Sequence, residues 1–115
     1  MEKLEKIYSE IKRIDELDKC PISNAVCKFT EEYGELVREI NKTTGRKTTD
    51  EDSQEVLNNI KEETADVLQN LLLICSRFNI SLDELFEQTI KKNKKWESKV
   101  PERQEFDGSS FFVRN

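Results

Sequence analysis

Histidine does not occur in this sequence, and the three cysteines, Cys20, Cys27 and Cys75, show no Cys-x-x-Cys spacing. Zinc and copper sites, which draw on imidazole or paired thiolates, are therefore disfavoured. Thiol catalysis is disfavoured too, because no imidazole is present to activate a cysteine. An odd number of unpaired cysteines favours free thiols, acting as small apolar fillers, in a reducing and cytoplasm-like compartment. Glycine (3) and proline (2) are scarce, which fits a helical chain with few tight turns. No apolar run approaches the roughly 20 residues that span a membrane, and Met1-Glu2-Lys3-Leu4-Glu5 lacks the apolar core of a secretory signal. A basic excess is missing as well. Lys and Arg number 19 against 24 Asp and Glu, a net charge of −5, which argues against a general nucleic-acid binder.

What is present is charge and helical periodicity. The 115 residues make one domain, 37% charged and 35% hydrophobic. That apolar fraction gives a single chain only a modest core, so assembly into an oligomer is expected to bury part of it. A first helix is expected from about Glu2 to Leu17, with Leu4, Ile7, Ile11 and Ile14 at spacings of three and four, broken at Cys20-Pro21. Ser23 or Asn24 caps a second, with Val26, Phe29, Tyr33, Leu36, Val37 and Ile40 on its apolar side, ended by Thr43-Thr44-Gly45. Arg46 to Glu51 reads as a mobile polar loop. Asp52 or Ser53 opens the third and longest helix, which reaches about Phe78. Within it, Leu71-Leu72-Leu73-Ile74-Cys75 is apolar on every side, so it is expected to be buried all round, inside a bundle or at a subunit interface. Ser81-Leu82-Asp83-Glu84 carries the capping-box pattern and starts a fourth helix, from Leu82 to about Lys95. Beyond Pro101 an irregular tail follows, whose Phe111-Phe112 pair is expected to dock on a neighbouring surface. The fold class is all-α.

Two short stretches repeat each other: Glu31-Glu32-Tyr33-Gly34-Glu35-Leu36-Val37 and Glu62-Glu63-Thr64-Ala65-Asp66-Val67-Leu68. Residues three or four apart share a helix face, so Glu32 with Glu35, and Glu63 with Asp66, each project two carboxylates in one direction. Gly34 and Ala65 hold equivalent places, and Gly inside a helix costs about 1 kcal/mol relative to Ala. Close approach of the two helices at these small residues would explain it, and would bring four carboxylates together around a hard cation. Oxygen donors alone select Mg²⁺, Mn²⁺ or Ca²⁺. With no histidine, the Glu-x-x-His di-iron arrangement is out. Because Mg²⁺ takes part of its shell from substrate phosphates, a phosphorylated substrate is expected. Glu31 and Glu62, each beside a ligand, are placed to polarise an attacking water or to support a second ion. Lys28, four residues before Glu32, either pairs with it or meets substrate.

These motifs resemble the MazG-like, all-α nucleoside triphosphate pyrophosphohydrolases. Lys28-x-x-Glu31-Glu32-x-Gly34-Glu35-Leu36 and Glu63-x-x-Asp66-Val67-Leu68 carry the resemblance, which covers roughly residues 25–96. It implies a four-helix bundle-like domain over residues 1–100 with a C-terminal tail over 101–115. It implies cleavage of a (deoxy)nucleoside triphosphate at the α–β linkage, giving the monophosphate and pyrophosphate. Mg²⁺, with Mn²⁺ as a substitute, would be bound by Glu32, Glu35, Glu63 and Asp66. A homodimer, or a homotetramer built as a dimer of dimers, is implied, with sites that borrow residues across the interface. Lys92, Asn93 and Lys95 match a phosphate-meeting stretch of the last helix, although Lys95 stands where Arg is more typical and lacks the planar fork. Trp96 is expected to pack on the bundle in preference to stacking on a base. Two other readings stand beside this one: a related phosphoribosyl-nucleotide pyrophosphohydrolase, and a non-catalytic helical interaction or regulatory protein.

Overall fold

The computed structural model describes residues 2–103, with side chains described through Pro101. Among the described residues there are four helices and no strand: α1 (Glu2–Asp18), α2 (Ile22–Thr43), α3 (Ser53–Arg77) and α4 (Leu82–Arg103). Phe111 and Phe112 lie outside the described residues.

The helix ends follow local chemistry. Left-handed Lys19 (φ 55°) stops α1, and its N–H donates back to the Asp15 carbonyl at 2.9 Å. Helix α2 starts earlier than a Ser23 or Asn24 cap would allow. Pro21 precedes its first residue with φ of −58°, no side chain caps the end, and the Pro21 carbonyl accepts from Asn24 N at 3.0 Å. Pro21 itself stands at the N-cap, so the end carries no side-chain acceptor for its first N–H groups. Of the two candidates for the third helix, Asp52 is the cap: its Oδ1 accepts from Glu55 N at 2.8 Å. Asn79 (φ 55°) closes α3, with Ile80 N donating to the Cys75 carbonyl at 3.0 Å. The capping box of α4 is formed in both directions, Glu84 N to Ser81 Oγ at 3.1 Å and Ser81 N to Glu84 Oε2 at 2.9 Å. Instead of stopping near Lys95, α4 runs through Pro101 to Arg103. The Pro101 nitrogen has no hydrogen to donate to the carbonyl four residues back, so the last turns of α4 run without that one bond.

The described residues divide into two compact units, parted between Ile80 and Ser81. In the first, α3 is flanked by α1 and α2. Tyr8 and Ile11 form the buried side of α1, and the Tyr8 hydroxyl donates to the Ile80 carbonyl. Leu72 and Cys75 are buried in α3, but Leu71 of the same apolar segment is 40% exposed. Burial all round is therefore not observed in the single chain, since two flanking helices do not enclose a third.

Helix α2 turns only part of its apolar pattern inward, with Phe29 and Leu36 half-buried. Ala25, Glu32 and Glu39 face inward, whereas Val26, Tyr33, Val37 and Ile40 are all exposed. Gly34 is exposed too, and a Cβ built on it would meet nothing within 4 Å. Position 34 lies about 200° around the helix from Glu32, so it points away from α3. Ala65, also exposed, bears the same relation to Glu63. The helices meet through their acid-bearing faces, and the small residues play no part in the approach. In the second unit, α4 leaves Ile90, Trp96 and Val100 exposed; Trp96, at 61%, does not pack as expected.

Candidate metal centre

Helices α2 and α3 run antiparallel, and their facing residues form a ladder of three rungs. Glu39 meets Asn59, whose Nδ2 donates to Glu39 Oε1 at 2.8 Å. Four residues back along α2 and four forward along α3, Glu35 presses electrostatically on Glu63. Three further in each direction, Glu32 acts on Asp66. The 3-4 spacing that keeps one helix face in line thus delivers the acids of both motifs to one seam.

Three of the four expected ligands converge there. Glu32, Glu63 and Asp66 each offer a carboxylate oxygen, and these oxygens lie within 4.8 Å of one another. Glu35 stands at the exposed rim, outside that triad but near enough to act on Glu63. Glu32 is buried, and Lys28 pairs with it at 3.4 Å along the helix. Of the two roles open to Lys28, the ion pair is the one seen. Glu63 Oε2 is buried and accepts no hydrogen bond.

The electrostatics follow from that crowding. Burial, the charge of Glu35 and contact with Glu32 push the Glu63 carboxyl up to about 7. Burial and Glu32 also raise Asp66, with Lys28 opposing. An anionic oxygen buried without a donor, among two further carboxylates, is expensive unless a cation joins it. The oxygen-only donor set suits a hard divalent ion, so the residues present fit Mg²⁺ on both counts.

Glu31 and Glu62 are exposed. Each sits about 100° around its helix from the adjacent triad member, so neither joins the triad. Lys92 and Lys95 line a shallow cavity on α4 with Trp96 and Lys99, and Asn93 is not among its lining.

A second polar group, unanticipated from the sequence, adjoins the acids. Lys42 Nζ donates to Glu39 Oε1 at 2.9 Å and to Glu51 Oε1 at 2.5 Å. Asn59 Nδ2 also reaches Glu51 Oε2 at 2.8 Å. Hydrogen bonds from Lys42 hold the Glu39 and Glu51 carboxyls below their ordinary value, with Asn59 adding to each. The loop expected to be mobile is therefore pinned at Glu51, which also accepts from Thr49 Oγ1 at 3.1 Å. The spacing of Glu39 after Glu32 and Glu35, and of Asn59 before Glu63, was the available signal; its meaning depended on the cross-helix partner.

No curated protein and no solved structure matches the chain. The family model of the MazG nucleotide pyrophosphohydrolase domain matches residues 23–100, which takes in both acid motifs, the ladder and the lysines of α4. With that match over most of its length, the chain belongs to the MazG nucleotide pyrophosphohydrolase domain family.

Proposed function

We propose that this protein is a Mg²⁺-dependent pyrophosphohydrolase that cleaves nucleoside or deoxynucleoside triphosphates to the monophosphate and pyrophosphate. The observation that carries the reading is the carboxylate triad, Glu32, Glu63 and Asp66, with its orphaned Glu63 oxygen, inside the matched family region. Those three residues, joined by Glu35 from the rim, would hold the ion. Bound Mg²⁺ supplies positive charge to the phosphate chain and Lewis acidity at the reacting phosphorus. Exposed Glu31 and Glu62 are the proposed acceptors of the proton released as water attacks the α-phosphorus, with pyrophosphate leaving in line. Lys92, Asn93 and Lys95 are the proposed phosphate contacts.

Assembly into a dimer or a dimer of dimers belongs to the same proposal. It is supported by the exposed apolar row Val26, Tyr33, Val37 and Ile40 on α2, together with Leu68 and Leu71 on α3, surface a lone chain leaves in water. Free thiols at Cys20, Cys27 and Cys75 fit a cytoplasmic setting. No described helix is long and apolar enough to cross a membrane.

A substrate panel tests the reading. The full chain, with millimolar Mg²⁺, is incubated with the common ribo- and deoxyribonucleoside triphosphates and with a phosphoribosyl-nucleotide substrate, and products are identified. Pyrophosphate with monophosphate is expected from the triphosphates, and Asp66→Ala should remove it. Turnover of the phosphoribosyl substrate alone would move the assignment to that related reaction. Absence of pyrophosphate throughout would refute the hydrolase.

A further inference from the structure

The two carboxylate rungs of the α2–α3 ladder are repulsive, because Glu35 opposes Glu63 and Glu32 opposes Asp66. The third rung is attractive: Asn59 donates to Glu39 across the seam at 2.8 Å. Glu39 is buried, at 8% exposure, and a buried carboxylate needs its donors. We propose that Asn59 is a positioning residue for the metal centre, fixing through Glu39 the helix register in which Glu32, Glu63 and Asp66 converge. The proposal rests on the Mg²⁺ reading given above for what the converged acids do, although the register itself does not depend on an ion.

The sequence around Asn59 supports this. Sliding α3 by one turn in either direction would bring Glu55 or Glu63 opposite Glu39 in place of Asn59. Both replacements are acids, so each slip exchanges a donor for a second negative charge. A polar residue that fixes register between helices is well attested, and half-buried Asn59 acts here on the buried Glu39. Lys42 completes the arrangement. By pairing with Glu39 at 2.6 Å and Glu51 at 2.5 Å, it keeps the charge of the third rung from adding to that of the triad.

The test uses the full chain without nucleotide. Asn59→Leu replaces the amide by an apolar group of similar size. Two measurements are made: amide NMR of the metal-free protein, and Mg²⁺ binding by calorimetry. Wild type is expected to give one set of α2–α3 cross-helix contacts. The variant is expected to keep its helicity, to lose or split that set, and to bind Mg²⁺ about 10–100-fold more weakly, the range typical of residues that support metal ligands. A merely structural role would lower the melting temperature and leave the affinity of the folded protein unchanged. Should Asn59→Leu not fold, Asn59→Ala, which removes the donor without filling its place, is held to the same two criteria. Unchanged cross-helix contacts together with wild-type Mg²⁺ affinity overturn the proposal. Wild type that fails to bind Mg²⁺ while Asn59→Leu still loses the register would instead refute the metal reading and leave the register role standing.

Discussion

Arg77 holds Asp15 through two parallel hydrogen bonds, Nε to Oδ2 at 2.5 Å and Nη2 to Oδ1 at 2.6 Å, and also donates to the Cys20 carbonyl. The pair joins the last turn of α1 to the end of α3. Hydrogen bonding to Arg77 holds the Asp15 carboxyl below its ordinary value, so its contribution is present at neutral pH and fades as acid protonates it. Asp15→Asn should lower the melting temperature at pH 7 by on the order of 5 °C. The difference should shrink as the pH falls below the ordinary carboxylate range and disappear once acid protonates Asp15 in the fold. Thermal melts of both proteins at neutral and acid pH check this, and equal melting at pH 7 would remove the pair from the forces holding α1.

Glu63 titrates in the opposite sense. Its carboxyl, pushed up to about 7 from an ordinary 4.5, keeps a proton in the metal-free fold that the unfolded chain releases. Stability is therefore lost as the pH rises from about 4.5 to about 7. Asp66, also raised, adds in the same direction, while Asp15, Glu39 and Glu51, all lowered, weaken the fold on the acid side. Melting temperature in a chelator should pass through a maximum near the ordinary carboxylate pKa and decline towards neutrality. In Glu63→Gln the decline should be shallower. A slope identical to wild type would contradict the crowding at this residue.

Gly34 has open space where its side chain would be and lies within a regular helix. Replacing it by alanine removes the conformational freedom that glycine brings to the unfolded chain. Gly34→Ala should stabilise the fold by about 0.5–1 kcal/mol and leave pyrophosphate release unchanged. Denaturant titration and the turnover assay measure both. A destabilised variant would mean that another protomer closes over the outer face of α2 at this point.

Glu51 binds Lys42, Thr49 and Asn59 at once, and its loop contains Arg46 and Lys47, two sites for trypsin. Glu51→Gln should loosen the segment and raise the rate of cleavage there several-fold at temperatures well below melting. Limited proteolysis with mapped fragments reads this directly. Equal rates in both proteins would show that Lys47 N, which donates to the Asn41 carbonyl at 3.2 Å, restrains the loop without help from Glu51.

Those differences show which parts of the molecule were legible in its sequence. Some signals carried within one helix turn were read correctly, because the partners are covalently near. The Ser81–Glu84 capping box was expected outright, and Asp52 and the Lys28–Glu32 pair were each one of two readings, whereas neither Ser23 nor Asn24 caps α2. Acid spacing likewise gave the two carboxylate pairs. Of what needed a second helix, the meeting of Glu32, Glu63 and Asp66 was read correctly, and the rest was misread or missed. Gly34 and Ala65 suggested close approach, yet only the placement of α3 shows that they point outward. The row Val26, Phe29, Tyr33, Leu36, Val37 and Ile40 was taken for one apolar side, but only Phe29 and Leu36 share the inward face with buried Glu32 and Glu39. Glu39 and Asn59 were invisible for the same reason, since each is an ordinary polar helix residue until the other is set opposite it.

The ladder between α2 and α3 also determines where this chain tolerates insertions. One residue added between Glu35 and Glu39 would rotate everything beyond it by about 100°, carrying Glu39 off the seam while Glu32 stays. Residues added at the tip of the connecting loop would leave every rung in place, and doubling a loop's length adds only about 0.6 kcal/mol of closure entropy. Length variants of this protein should therefore cluster between Thr44 and Thr48 and avoid the helical stretches on either side.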